Sequence, residues 1–138
     1  MGKLLHEELS YIVRGCAMEV RNKYGSGHKE SVYQNAFAEL LTLKEIDFRK
    51  EFPIKVYSPF TGKSMGLYRP DFLVGDKIIV ELKAMLMVHR KLIDKLYDYL
   101  RNSVYELGFF INFGSSNLYI KRILYTNDRK DFLGQKPA

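Results

Sequence analysis

The chain has 138 residues, the usual size of one compact domain, and 46% of them are hydrophobic. This composition excludes a disordered chain, because there is enough apolar material for one core. The net charge of +6 suits a polyanionic partner such as nucleic acid, although scattered basic residues on a solvated surface would give the same value. We expect residues 1–138 to form a single domain with its core at about 5–125 and a polar C-terminal tail.

The cysteine content and the hydropathy pattern exclude further classes of protein. Cys16 stands alone, which excludes an internal disulfide framework, a four-cysteine zinc site and a cysteine-ligated iron–sulfur cluster. It shares a helical face with Ile12, Val13 and Val20, which predicts a small buried side chain. No apolar run approaches the roughly 18 residues of a membrane helix. We therefore expect a cytoplasmic protein that does not associate with a membrane.

The periodicity of apolar residues predicts a mixed α/β or α+β fold. Apolar positions repeat every 3.6 residues in three segments and alternate or run together in five others, which predicts helices and strands. The predicted order is α-α-β-β-β-α-β-β, with elements at residues 3–23, about 29–44, 52–56, 65–74, 78–84, 88–101, 107–113 and 118–125. This order predicts one mixed sheet flanked by helices.

A carboxylate and an amine lie side by side in the predicted strand at 78–84. Glu81 and Lys83 point to one face of that strand, and Val80 and Leu82 point to the other. Charged groups near a core are costly unless they are paired or bind a metal. A plain ion pair at a sheet edge would also explain them, since a Glu-x-Lys pattern is common by chance.

The turn before this strand decides whether a second acid joins the pair. With a two-residue turn at Gly75-Asp76, residue 71 would pair with residue 80, and Asp71 would face away from Glu81. With a three-residue loop at 75–77, Asp71 would lie opposite Glu81 on the face that carries Lys83. Three-residue hairpin loops containing glycine are common, so we predict this register or a bulge that achieves it.

Two converging carboxylates beside a lysine suit phosphodiester hydrolysis. Hard oxygen ligands hold Mg²⁺ or Mn²⁺, and such an ion can polarise a phosphate and lower the pKa of a bound water. Lys83 would then position the water and stabilise the charge of the transition state. It would also offset the repulsion between Asp71 and Glu81.

Two motifs in this sequence resemble a known superfamily and one of its families. Pro70-Asp71, nine residues and then Glu81-Leu82-Lys83 resemble the PD-(D/E)xK nuclease pattern, and Gly27 to Tyr33 reads G-x-x-E-x-x-Y, the motif that names the GxxExxY family. The stretches 80–84, 111–114 and 120–123 are similar to that family too, so the resemblance covers roughly residues 5–125.

The resemblance implies a restriction-endonuclease-like core and a set of site residues. It implies that Asp71 and Glu81 bind the metal, that the Leu82 backbone carbonyl joins them, and that Lys83 is catalytic. It also implies that Glu30 is an additional catalytic acid from the preceding helix, although a helix-start acid without chemistry is about equally expected at that position. Tyr33 is interpreted as a packing aromatic.

One position departs from the pattern of such nucleases, which often carry a glutamine on the helix after the E-x-K strand. Lys95 stands there, either as a phosphate-binding charge or as a mark of relaxed selection on activity. His89, Arg90 and Lys91 open the same helix and are candidate contacts to the backbone of nucleic acid, with solvated helix-start residues as the simpler explanation.

The leading hypothesis is a Mg²⁺- or Mn²⁺-dependent nuclease, with DNA as the expected substrate and RNA as the alternative. A non-catalytic nucleic-acid-binding module that kept the nuclease fold is the main alternative, and a protein-interaction subunit is a third. No further domain is visible that would recognise a sequence, so specificity would come from a protein partner or from a homodimer.

Overall fold

The computed structural model describes residues 5–134 of the chain. The helices and strands of this part are α1 (Glu7–Tyr24), α2 (Glu30–Leu43), β1 (Phe48–Lys50), β2 (Ile54–Tyr57), β3 (Ser64–Tyr68), β4 (Phe72–Val74), β5 (Ile78–Lys83), α3 (Arg90–Arg101), β6 (Leu107–Asn112) and β7 (Tyr119–Leu124). Two short 3₁₀ turns follow at Asn127–Arg129 and Asp131–Gly134. The predicted helix start at residue 3 and the last four residues of the predicted tail lie outside the described residues.

The strands of the described residues form two sheets. The larger sheet has five strands in the order β1-β4-β5-β6-β7, and the smaller one pairs β2 with β3. Strands β5 and β6 run parallel, while the other neighbours in both sheets are antiparallel. A mixed sheet with helices on both faces is consistent with a restriction-endonuclease-like fold, so the predicted fold class is confirmed.

Residues 5–134 form two more strands than the sequence pattern predicts. The continuous strand predicted at 65–74 is divided at residues 69–71 into β3 and β4, which belong to different sheets. Pro70 lies at this break, and proline has no N–H to donate to a sheet. Strand β1 was not predicted, because three residues are too few to show an alternating pattern.

The larger sheet is covered by helices on both faces, and each face has its own core. Helices α1 and α2 pack on one face, where Phe37, Val80 and Leu82 are among the fully buried side chains. Helix α3 packs on the other face through Leu96 and Leu100. Every residue of β6 is buried, as its continuous apolar run predicted. Cys16 is buried in the α1 side of the core, as predicted.

The helices of the described part are too short or too polar to cross a bilayer. Within residues 5–134, no helix combines the length and the apolar character that a membrane span requires.

Candidate active site

A three-residue loop joins β4 to β5 and sets the register of this hairpin. Val74 pairs with Ile78, and the N–H of Lys77 donates to the Val74 carbonyl at 3.1 Å. Gly75 and Asp76 have positive φ angles of 58° and 57°, as the two central residues of a type I′ turn do. The predicted loop at residues 75–77 is therefore confirmed.

This register brings two carboxylates together on one face of the sheet. Phe72 pairs with Val80, so Asp71 lies opposite Glu81 just beyond the last pair of the ladder. The N–H of Asp71 donates to Oε1 of Glu81 at 3.2 Å, and the N–H of Leu82 donates to Oδ2 of Asp71 at 2.8 Å. The Glu81 carboxylate thus accepts from the backbone of Asp71, and the Asp71 carboxylate accepts from the residue that follows Glu81. These two bonds fix the relative orientation of the acids.

The two carboxylates are difficult to ionise together. Burial, followed by the charge of Asp71, raises the pKa of Glu81 to about 7. Burial also raises the pKa of Asp71, against the opposing effects of the Leu82 N–H and the Lys83 charge. Like charges in a half-buried place disfavour each other's ionised form, and a cation relieves that repulsion.

Lys83 lies on the same face of β5 and reaches the start of α2. Its Nζ lies 3.7 Å from Oε1 of Glu30, the first residue of that helix. The side chains are 30% and 42% exposed, so the ion pair is partly screened by solvent and contributes little to stability. The contact places the lysine amine at the end of β5, near the acid pair.

Comparison with known proteins agrees with this geometry. A family model of the PD-(D/E)XK nuclease superfamily matches residues 7–123. The chain belongs to the PD-(D/E)XK nuclease superfamily. Comparisons with curated proteins and with solved structures gave no match.

In this PD-(D/E)XK protein the loop before Glu30 is held by a buried tyrosine. The hydroxyl of Tyr33 donates to the Gly25 carbonyl at 2.6 Å and accepts from the His28 N–H at 3.2 Å. Its ring is fully buried and stacks on Phe113, with centroids 4.6 Å apart. Tyr33 therefore packs in the core, as predicted, and its hydroxyl also secures the entry to α2.

The end of β5 is secured by the asparagine that follows in β6. The Asn112 side chain is fully buried, accepts from the Met85 N–H at 2.9 Å and donates to the Met85 carbonyl at 2.9 Å. A Cβ on Gly114 would lie 2.6 Å from the Met85 nitrogen, so only glycine fits there. These contacts fix the chain two residues after Lys83 and so restrict where its side chain begins.

Tyr68 is a site residue that the sequence analysis missed. Its hydroxyl donates a hydrogen bond to Oε1 of Glu81, and its ring stacks on Tyr99 of α3 with centroids 3.7 Å apart. Burial, followed by the charge of Glu81, raises the pKa of Tyr68 well above its usual range, so the hydroxyl keeps its proton. No spacing rule marks it, because β3 and β5 belong to different sheets.

Lys95 lines a pocket between the sheet and α3 that Glu81 also lines. Tyr68, Glu81, Lys83, Lys95 and Tyr99 are among the residues that line it. The amine of Lys95 also lies 5.9 Å from the centre of the Tyr99 ring. Lys95 thus lies at the same pocket as Glu81 and Lys83.

The basic residues at the start of α3 lie outside this pocket. His89, Arg90 and Lys91 are all exposed. Arg90 lies 3.9 Å from Asp94 in an exposed ion pair one turn along the helix. These three positions are therefore separate from the centre formed by the acid pair, and they are available at the surface.

The acid pair fits a hard divalent ion by its chemistry. The described residues hold no group of three or more acid, histidine or cysteine side chains arranged for a metal, and Glu30 approaches Lys83 instead of the pair. A site here would therefore use two carboxylates, a main-chain oxygen and water, the ligand set that Mg²⁺ prefers. The oxygens Oδ1 of Asp71 and Oε2 of Glu81 accept no hydrogen bond within residues 5–134, so both remain available.

Proposed function

We propose that this protein is a Mg²⁺- or Mn²⁺-dependent nuclease that hydrolyses phosphodiester bonds of nucleic acid, with DNA as the expected substrate. The observation that carries the proposal is the convergence of Asp71 and Glu81 on one face of the sheet, with Lys83 beside them. Membership of the PD-(D/E)XK superfamily supports the same reaction. Within it, the motif from Gly27 to Tyr33 supports the narrower assignment to the GxxExxY family.

We assign the metal to Asp71, Glu81 and the main-chain carbonyl of Leu82. Burial raises the pKa of both carboxyl groups and the charge of Asp71 raises that of Glu81 further, so a bound cation would stabilise both in the ionised form. When bound, Mg²⁺ or Mn²⁺ polarises the phosphate and lowers the pKa of a coordinated water.

Lys83 acts on the attacking water and the phosphate, and Glu30 positions Lys83. The ammonium group of Lys83 orients the water and stabilises the negative charge that develops on the phosphoryl oxygens. Glu30 holds this ammonium group at the end of β5 through their ion pair. The water oxygen forms the new bond to phosphorus, the ester P–O bond breaks, and a proton from the water ends on the leaving oxygen.

Lys95 is proposed to bind a phosphate next to the reacting one. It lines the pocket that Glu81 and Lys83 also line, and a lysine amine acts on phosphate as a point charge. His89, Arg90 and Lys91 are exposed on the first turn of α3, where they can contact the backbone further along the nucleic acid.

A non-catalytic nucleic-acid-binding module is the second candidate. One observation favours it, namely that lysine stands at position 95, where such nucleases often carry glutamine. A module of this kind would bind metal and nucleic acid through the same residues without breaking a phosphodiester bond.

Calorimetric titration with Mn²⁺ tests the metal site. Wild type is expected to bind the ion, and Glu81→Ala is expected to lose that binding because one of two carboxylate ligands is gone. Glu39→Ala is the matched control, since Glu39 is exposed on α2 and its loss should leave Mn²⁺ binding unchanged. Equal Mn²⁺ affinity of wild type and Glu81→Ala would show that Glu81 is part of a structural cluster and not of a metal site.

A cleavage assay on plasmid DNA, single-stranded DNA and RNA separates the two candidate functions. Wild type and Glu39→Ala should cut in Mn²⁺, and Glu81→Ala should not. Lys83→Met should retain Mn²⁺ binding and lose at least about 100-fold in cleavage rate, a typical loss when a group that stabilises transition-state charge is removed. Mn²⁺ and DNA binding without cleavage by wild type would instead establish the non-catalytic module.

A further inference from the structure

We propose that Tyr68 is a positioning residue that selects which oxygen of Glu81 is free to bind the metal. This inference rests on the proposed function and names a residue that the E-x-K motif does not include. Tyr68 lies in β3 of the smaller sheet, whereas Glu81 lies in β5 of the larger one. Its contact therefore adds a second support to the acid pair from outside the hairpin that carries it.

The hydrogen bonds of Glu81 divide its two oxygens into distinct roles. Oε1 accepts from the Tyr68 hydroxyl and from the Asp71 N–H. Two donors occupy both lone-pair directions of that oxygen. Oε2 accepts no hydrogen bond within residues 5–134, so it is the oxygen that remains for a metal ligand bond.

Tyr68 is itself held firmly. The residue is only 8% exposed, and its ring lies within 3° of parallel to that of Tyr99. Lys95 lies one turn before Tyr99 on α3, and the Lys95 amine lies over the Tyr99 ring. The stack therefore connects the acid pair to the helix that carries the proposed phosphate contact.

Fixing the carboxylate in advance should strengthen metal binding. Glutamate has several rotatable bonds, and a free side chain would lose that rotamer entropy when it binds an ion. Hydrogen-bonded partners behind a metal ligand orient it, and their loss typically weakens metal binding. Tyr68 is placed to do this, because it contacts the ligand residue and not the ion.

Mn²⁺ calorimetry on Tyr68→Phe tests the inference. The variant keeps the ring and its stack on Tyr99 but lacks the donor, so its affinity for Mn²⁺ should fall by about tenfold or more. Tyr57→Phe is the matched control. Tyr57 lies in β2 of the same small sheet, its ring stacks on Phe132, and its substitution also removes one hydroxyl. Its Mn²⁺ affinity should equal that of wild type.

A second variant separates the hydroxyl from the ring that supports it. Tyr99→Leu keeps the Tyr68 donor and removes its stacking partner, so Mn²⁺ affinity should fall by less than in Tyr68→Phe. At saturating Mn²⁺, Tyr68→Phe should recover most of its cleavage rate, whereas Lys83→Met should not. This difference distinguishes a residue that positions a ligand from one that acts on the reacting atoms.

The outcomes separate this inference from the function on which it rests. Wild-type affinity for Mn²⁺ in Tyr68→Phe, or a tighter one, would overturn the role of Tyr68 and leave the metal site standing. Absence of Mn²⁺ binding in wild type would overturn both. A cleavage loss in Tyr68→Phe that persists at saturating Mn²⁺ would also contradict a role in positioning alone.

Discussion

The two faces of β5 differ in what they contribute to the protein. On the face toward α1 and α2, Ile78, Val80 and Leu82 are fully buried among apolar side chains. On the face toward α3, Glu81 and Lys83 remain partly exposed beside a pocket. One strand thus supplies part of the main core and the centre of the candidate active site.

Successive side chains of a strand point to opposite faces, so one face of β5 can stabilise the fold while the other carries the charged residues of the candidate site. Burial of apolar side chains stabilises the fold, whereas two acids in a half-buried place oppose it. The site can carry unfavourable charges because the residues between them are anchored in the core. Substitutions on the two faces should therefore have opposite effects on the free energy of unfolding.

The largest expected effect is on the apolar face. Leu82→Ala removes a fully buried side chain and should lower the free energy of unfolding by about 2–5 kcal/mol, because a cavity remains in the core. Chemical denaturation measures this change. Leu86→Ala is the control, since Leu86 is 86% exposed and the same substitution should change stability by about 0.5 kcal/mol or less. A similar loss in both variants would contradict the division between the faces.

Substitution of Glu81 on the polar face should change the free energy of unfolding by less and in the opposite direction. The pKa of Glu81 is raised to about 7 in the folded state, from 4.5. The folded protein therefore binds more protons than the unfolded chain in this range, and wild-type stability falls as the pH rises through it. Glu81→Gln keeps an oxygen for both donors without the charge. Its free energy of unfolding should exceed that of wild type at pH 8 by on the order of 1 kcal/mol.

Denaturation of wild type and Glu81→Gln at a series of pH values checks this sign. The difference in free energy of unfolding between Glu81→Gln and wild type should shrink as the pH falls. It should disappear near pH 4, where Glu81 is protonated in both the folded and the unfolded state. A difference that stays constant between pH 4 and pH 8 would show that the charge of Glu81 is not its cause.

The smallest change in stability is expected for Lys95, which lines the pocket from α3. Lys95→Gln should leave stability nearly unchanged and weaken DNA binding at low salt, because one phosphate contact is lost. The slope of log affinity against log salt should decrease by about one. Lys44→Gln is the control, since Lys44 follows the end of α2 far from Glu30 and contacts Glu19. Equal salt slopes in wild type and Lys95→Gln would exclude a phosphate contact at this position.

Much of the fold could be predicted from the sequence, because local patterns carry it. Helices α2 and α3 begin and end within two residues of their predicted bounds, and α1 ends one residue after its predicted end, since amphipathic periodicity and glycine breaks act over short distances. The hairpin register was also predictable. Gly75 and Asp76 favour the left-handed conformation that the loop requires, and a three-residue loop then places Asp71 opposite Glu81.

Other features were missed because they depend on contacts between segments far apart in the chain. The strand predicted at 65–74 gave no indication that its two parts would join different sheets. The contacts of Tyr68 with Glu81 and Tyr99 depend on that division, because they join the end of β3 in the smaller sheet to β5 and α3. The double hydrogen bond of Asn112 to Met85 likewise depends on the parallel pairing of β5 with β6.

The sequence by itself determined which side of each element is apolar, where the chain turns, and that Asp71, Glu81 and Lys83 would share a face once the loop was three residues long. Only the tertiary structure decided that Tyr68 donates a hydrogen bond to one oxygen of Glu81, that Lys83 pairs with Glu30, and that Lys95 lines the same pocket as Glu81. The physical reason is that periodicity specifies the face of an element but not its partner. Partners are chosen by burial and hydrogen bonding across the whole fold.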